Sequence, residues 1–270
     1  LVAMCALGAC TTNFANCNGN AADGCEASLT TVGTAPSGPT ARFAPAGSAM
    51  DQTPSEDISV EVGPNGEVYV LSYADKIIVF DADGRYLRNY PARGWSTSWS
   101  IAVDRATGEM WVVDPNNSTV VRLNSTGNPV TSWNTGLSGP RGVEFYNNEV
   151  YVGDYGNNRV AVFTPSGTAV RNFRTGSLLS PRGLTVGRTT GNVYVTSSGN
   201  NTLRVYNPAG TELRAWNTCN TPADVAVDEC RDVAYVLCEA GDQWIAYRAS
   251  TGAQLYAVST GGSISHSGIA

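Results

Sequence analysis

The chain runs to 270 residues, 42% of them hydrophobic and only 15% charged, with a net charge of −6. A chain of this size buries roughly 75% of the surface it exposes when unfolded. Its acidic balance, with sixteen arginines and one lysine against 23 acidic residues, argues against the basic face that nucleic-acid binding requires. A single histidine, His266, rules out metal sites assembled from several histidines.

The first ten residues, LVAMCALGAC, are apolar and end in Leu7-Gly8-Ala9-Cys10, the pattern of a lipobox closing a signal sequence. The segment is too short to span a bilayer, which takes about 20 apolar residues. Cleavage would leave a lipid on Cys10 and a membrane tether. Retention would leave apolar side chains to be buried on a second copy of the chain or on the protein's own flank. Residues 1–27 form a Cys-rich extension, with four of the seven cysteines, Cys5, Cys10, Cys17 and Cys25, in the first 25 residues. The run CTTNFANCNGNAADGCEASLTT resembles Cys-rich segments of secreted bacterial proteins. Clustered cysteines among Asn and Gly turns favour disulfides over zinc and an extracellular or cell-surface location. Sequons at Asn117, Asn124 and Asn200 fit the loops of an exported protein, and Asn/Ser/Thr-rich loops also produce them by chance.

From residue 28 onward one phrase recurs. An aromatic residue or Leu is followed four residues later by Gly at Phe43/Gly47, Phe80/Gly84, Leu123/Gly127, Phe163/Gly167 and Tyr206/Gly210, and five later at Tyr247/Gly252. The glycines lie 37, 43, 40, 43 and 42 residues apart. Each suits a short hairpin loop that needs one positive φ. Upstream of each is a β-branched or aromatic strand, at Thr31–Val32, Val68–Val70, Trp111–Val113, Val150–Val152, Val193–Val195 and Ala234–Val236. Upstream again is an inner strand, at Ile58–Val62, Ile101–Asp104, Val143–Phe145, Leu184–Val186 and Val225–Asp228. Strand-built repeats of about 40 residues specify a β-propeller. The sixth inner strand is supplied by Ser267-Gly268-Ile269-Ala270, which aligns with Arg141-Gly142-Val143-Glu144. The expected fold is therefore an all-β, six-bladed β-propeller over 28–270. Its last blade is closed by the C-terminal strand joining three N-terminal strands within Leu29–Met50, which brings residues 28 and 270 together and leaves no open sheet edge.

Pro140-Arg141-Gly142-Val143, Tyr151-Val152-x-Asp154 and Asn157-Asn158-Arg159-Val160-x-Val162-Phe163 give the repeat a resemblance to the NHL-repeat family of propellers. The resemblance extends over 28–270 and implies the fold. It leaves function open, because the fold hosts binders, lyases and hydrolases alike.

Inner strands of such a ring run from the loop-rich mouth face to the opposite face, and second strands return. Cys219 precedes an inner strand and Cys238 follows the returning one, so both lie on the mouth face. Cys230, in the hairpin between them, lies on the opposite face, as does Cys25 in the adjoining split blade. This topology pairs Cys219 with Cys238 and Cys25 with Cys230. Cys10 then pairs with Cys17, with Cys17–Cys25 as the alternative, and Cys5 is left free or joined to another chain.

Residues just before the inner strands form the mouth ring, Glu56, Trp99, Arg141, Arg182, Ala223 and Ser267. The next ring inward is Asp57, Ser100, Gly142, Gly183, Asp224 and Gly268. Carboxylates are too few here for a calcium cage. The arginines suit an anion or a carboxylate-bearing partner, with Trp99 as an aromatic anchor, or else pack on neighbouring loops. The candidate binding residues are thus Glu56, Trp99, Arg141, Arg182 and Asp224; no catalytic residue, metal ligand or cofactor is assigned. Asp81-Ala82-Asp83-Gly84 occupies a turn slot, and Asp114 and Asp154 share a loop-stabilising slot with Ser72, Ser197 and Cys238. The expected function is a non-enzymatic structural or interaction propeller, secreted or surface-exposed. Its partner is another protein or further copies of itself, assembled through the apolar Cys-bearing N-terminus. The alternative is a metal-dependent hydrolase or lyase using Asp57 and Asp224.

Overall fold

The structure, a computed structural model, describes residues 57–72, 76–174 and 176–259, with backbone alone for Asp57 and Ile58. It also describes the backbone of two short strands, β1 (Phe14–Ala15) and β2 (Ala27–Ser28), which pair antiparallel. The remaining described strands form five four-stranded antiparallel sheets, each a run of four consecutive strands. Blade 1 holds β3 (Asp57–Val62), β4 (Val68–Ser72), β5 (Lys76–Phe80) and β6 (Tyr86–Pro91). Blade 2 holds β7 (Ser100–Val103), β8 (Met110–Asp114), β9 (Thr119–Leu123) and β10 (Pro129–Trp133). Blade 3 holds β11 (Pro140–Tyr146), β12 (Glu149–Asp154), β13 (Arg159–Phe163) and β14 (Ala169–Phe173). Blade 4 holds β15 (Pro181–Val186), β16 (Val193–Ser197), β17 (Thr202–Tyr206) and β18 (Glu212–Asn217). Blade 5 holds β19 (Pro222–Asp228), β20 (Val233–Cys238), β21 (Gln243–Arg248) and β22 (Gln254–Ser259). Among the described residues no helix is long and apolar enough to cross a membrane.

Five blades is one fewer than the six expected. The segments that were to build the sixth, Leu29–Met50 and Ser267–Ala270, lie outside the described residues, as does the expected proximity of residues 28 and 270.

The apolar residues of the second strands explain how the blades stack. All five residues of β8 are buried, because a middle strand is covered on both faces. An aromatic residue recurs at one register position, and Tyr69, Trp111, Tyr151 and Tyr194 each lie in the apolar cluster shared with the next blade. The marker glycines Gly84, Gly127, Gly167, Gly210 and Gly252 all take positive φ, between 75° and 91°. They serve a second purpose. A Cβ on Gly127, Gly167, Gly210 or Gly252 would collide with Tyr90, Trp133, Phe173 or Trp216, the aromatic residue near the end of the preceding blade's outer strand. The turn thus offers a flat seat for the neighbouring blade's ring.

One further position ties each loop to its blade. Asp114, fully buried at the end of β8, accepts from the backbone N–H of Ser96 and the hydroxyls of Ser96 and Thr97. Asp154 accepts from the N–H of Ser138 at 2.7 Å, and Ser197 Oγ from the N–H of Leu179 at 2.9 Å. Blade 5 has Cys238 there, disulfide-bonded to Cys219 with Cα atoms 6.0 Å apart. Carboxylate, hydroxyl and disulfide perform one task, holding the incoming loop to the second strand. Cys230 is also disulfide-bonded; Cys25, its expected partner, and Cys5, Cys10 and Cys17 lie outside the described residues.

Candidate functional site

On the face where the inner strands begin, the start of β11 and the segment leading into β7 bring together side chains from two blades. The Arg141 guanidinium carbon lies 4.3 Å from the centroid of a Trp99 ring and 4.0 Å from that of Tyr155, which follows β12. Burial, and then the like charge of Arg182, hold the Arg141 pKa below its ordinary value. A guanidinium stays charged regardless, so this marks a cation short of compensation. Among the described residues Arg141 has no hydrogen-bond or ion-pair partner.

Arg182, assigned the same role by the sequence, is placed differently. It is 5% exposed and forms a bidentate pair with Glu239, at 2.6 and 2.8 Å. Its Nε is buried without an acceptor, and its guanidinium lies 5.9 Å from a Trp99 ring centroid. Arg182 therefore braces the mouth, and Arg141 presents the available charge. Arg159, near Tyr155, is engaged by Asp154 and by the carbonyl of Gly136.

The first blade corrects the sequence-derived rings. Asp57 pairs with Ser72, the slot where Pro140, Pro181 and Pro222 face Asp154, Ser197 and Cys238. Blade 1 therefore enters the two rings with Ile58 and Ser59, not Glu56 and Asp57. Ser59 does what Ser100 does one blade on: each hydroxyl accepts from the next inner strand, Ile101 N–H at 3.3 Å and Val143 N–H at 3.3 Å. A two-residue slip preserves strand alternation, which is why the sequence concealed it. Glu56 itself lies outside the described residues, as do Ser267 and His266.

Gly142 and Gly183 fill the inner ring where strands approach most closely. A Cβ on Gly142 would strike the carbonyl of Arg182, and one on Gly183 the side chain of Asp224. Between the inner strands lies a cavity of about 1040 Å³, lined by Ser59, Ser100 and Asp224 of this ring and reaching the hairpins of the opposite face. Asp224 lies in the inner ring, its side chain beside Gly183, and lines that cavity. Its Oδ1 accepts from the N–H of Val225 at 2.9 Å.

The cavity holds groups that sequence reading missed. Glu61 and Glu144 line it together with Arg105 and Arg188. Glu144 pairs with Arg188 at 2.7 Å. Glu61 has its pKa pushed up to about 8, chiefly by burial and then by the Glu144 carboxylate. Tyr155 and Glu239 were also missed at the mouth, since both sit on turns after second strands. Among the described residues no cluster of three or more His, Cys, Asp or Glu suits a metal ion.

No family model matches the chain, and no curated protein matches it significantly. Solved structures do resemble it. A chain of a nidogen/laminin complex is similar with a TM-score of 0.68 and 16% identity, over 76% of this chain and 81% of the other. A virginiamycin B lyase from Staphylococcus aureus is similar with a TM-score of 0.62 and 16% identity, over 78% and 72%. A streptogramin B lyase is similar with a TM-score of 0.63 and 17% identity, over 78% and 71%. At these identities the likeness establishes the β-propeller fold.

Proposed function

We propose that the chain is a non-enzymatic interaction propeller of NHL type, acting outside the cell, whose mouth face binds a carboxylate-bearing protein partner. The observation that carries the reading is Arg141, a half-buried cation packed on Trp99 and Tyr155, on which the Glu239 carboxylate acts through space but to which no described anion is hydrogen-bonded or ion-paired. Aromatic flanks fix the plane of a guanidinium, and a fixed plane suits bidentate capture of a carboxylate. The Cys219–Cys238 disulfide supports an oxidising compartment. A propeller of the same fold occurs in a nidogen/laminin complex, which is consistent with a protein partner. The alternative, a metal-dependent hydrolase or lyase, has only the fold likeness to the two lyases behind it.

We also infer a sixth blade between blades 5 and 1. Inner strands make contact in the order β3, β7, β11, β15, β19, with no comparable contact from β19 back to β3. The face of blade 5 that should meet a next blade carries Tyr235, Trp244 and Tyr256, all left partly exposed, whereas Tyr69, Trp111, Tyr151 and Tyr194 are buried at the equivalent position. A blade from 29–50 and 267–270 would cover that face.

The mouth reading is tested by fluorescence anisotropy with labelled hexaglutamate as the anionic probe. Saturable, salt-sensitive binding is expected, weakened at least about tenfold in Arg141→Gln. Arg85→Gln, which alters an exposed arginine paired with Asp83, is expected to bind as wild type. Equal binding by Arg141→Gln and wild type would remove the reading.

A further inference from the structure

On the face where the inner strands begin, one position departs from the repeat. In blades 2, 3 and 4 the loop entering the inner strand is pinned by one backbone N–H to the slot at the end of the second strand. Ser96 donates to Asp114 at 2.6 Å, Ser138 to Asp154 at 2.7 Å and Leu179 to Ser197 at 2.9 Å. In blade 5 the position belongs to Asn220, because the N–H of the next residue, Thr221, binds Asn201 as that of Ser180 binds Asn158. Blades 2, 3 and 5 thus carry a polar side chain there, and blade 4 carries leucine.

Leu179 is 39% exposed, whereas Leu178 beside it is buried in the cluster between blades 3 and 4. That exposure is imposed by the backbone. The Leu179 N–H binds Ser197 Oγ, and its carbonyl accepts from Ser197 Oγ at 2.9 Å and from the N–H of Gly199 at 3.1 Å. A Cβ on Gly199 would come within 2.9 Å of the Leu179 Cβ. A segment so held cannot turn its side chain inward, and it has little freedom left to lose on binding. The other large apolar residues left exposed, Tyr86, Leu87, Val130, Val170 and Leu213, lie on the outer strands β6, β10, β14 and β18.

A single exposed leucine carries no meaning alone; its surroundings supply it. Ser180 donates its N–H to Asn158 Oδ1 at 2.7 Å, and Asn158 closes the turn that begins at Tyr155. The two ends of a four-residue turn lie within about 7 Å. Leu179 is therefore linked through one hydrogen bond and one turn to the ring that packs on Arg141.

Resting on the mouth-face reading above, we propose that Leu179 is a second subsite of that face, and that the partner segment carries an apolar side chain within a few residues of the carboxylate held by Arg141. An extended chain advances about 3.3 Å per residue, so a short segment spans both points. The carboxylate fixes orientation through Arg141, and the apolar side chain leaves water on packing against Leu179. The partner is thus an acidic peptide with an apolar residue set in it, not a purely acidic one.

The experiment is fluorescence anisotropy of the full chain with two labelled peptides of equal charge, Glu-Glu-Leu-Leu-Glu-Glu and Glu-Glu-Ser-Ser-Glu-Glu. Wild type is expected to bind the leucine peptide at least about fivefold more tightly than the serine peptide. Leu179→Ser, which installs the residue found at the equivalent positions 96 and 138, is expected to bind the two alike and to keep the wild-type affinity for the serine peptide. Arg141→Gln is expected to weaken both, and thermal melts report that each variant is folded. Equal affinity of wild type for the two peptides, or a leucine preference undiminished in Leu179→Ser, would overturn this proposal and leave the Arg141 reading standing. Undiminished binding of both peptides by Arg141→Gln would instead remove the reading on which it rests.

Discussion

At the scale of single residues, the carboxylates fall into two groups with opposite effects on stability. Glu67 and Glu149 have pKa values lowered chiefly by hydrogen bonds from Arg88 and Arg171. For Asp114, burial raises the pKa, but hydrogen bonds from Ser96, Asn117 and Thr97 outweigh it and the net shift is downward. These three stabilise the fold above the ordinary carboxylate range, and that contribution is lost as pH falls through their lowered values. Glu61 acts the other way. With its folded pKa raised to about 8 from 4.5, its favourable protonated state is fully present below pH 4.5 and is lost as pH climbs through about 8. Glu61→Gln should therefore melt near the wild-type temperature at acid pH and above it at alkaline pH. Thermal melts across pH would show this as two curves diverging with rising pH, and parallel curves would contradict it.

At the scale of the element, the four strands of a blade are held by two recurring devices. One is the aromatic ring seated on the next blade's turn glycine, as Trp133 sits over Gly167. The other is the slot at the end of the second strand, filled by Asp114, Asp154, Ser197 or the Cys219–Cys238 disulfide. Blade 5 depends on the disulfide because its slot has no carboxylate or hydroxyl. Replacing both cysteines with alanine should cost about 3 kcal/mol by the loop-closure argument for a loop near this length. Denaturant titration would report it, and hydrogen exchange should rise first in the loop before β19. A uniform rise across all blades would mean that the bond acts on the ring and not on this loop.

The sequence made both devices partly visible. The glycine spacing located every described third-to-fourth strand turn, because a positive φ is a local demand that restricts residue type. The slot was recognised at Asp114 and Asp154, but the loop groups those carboxylates hold were not, because Ser96, Thr97 and Ser138 carry no signal of their own. Blade 1 was misregistered by two residues at Glu56 and Asp57, since pleat alternation repeats every two residues.

At the scale of the molecule, the described blades form an arc of five whose ends do not meet. The sixth blade proposed above makes a specific demand on Ser267–Ala270. Deleting these four residues should lower the melting temperature by at least about 5 °C. Exchange should accelerate in β3 and β19, beside the gap, while β11 stays protected. An unchanged melting temperature would remove the C-terminal strand from the closure.

The sequence by itself determined the repeat, the strand order within each blade, and the proximity of Cys219 to Cys238. All of these follow from periodicity and chain direction, which are local properties. Only the tertiary structure decided that Arg182 is neutralised by Glu239 while Arg141 packs on Tyr155, and that Glu61 and Glu144 share a cavity. Each depends on which side chains from different blades converge, and on how much water their convergence excludes. Burial and proximity set the charge of Glu61 and the availability of Arg141, and neither is written in the spacing of residues along the chain.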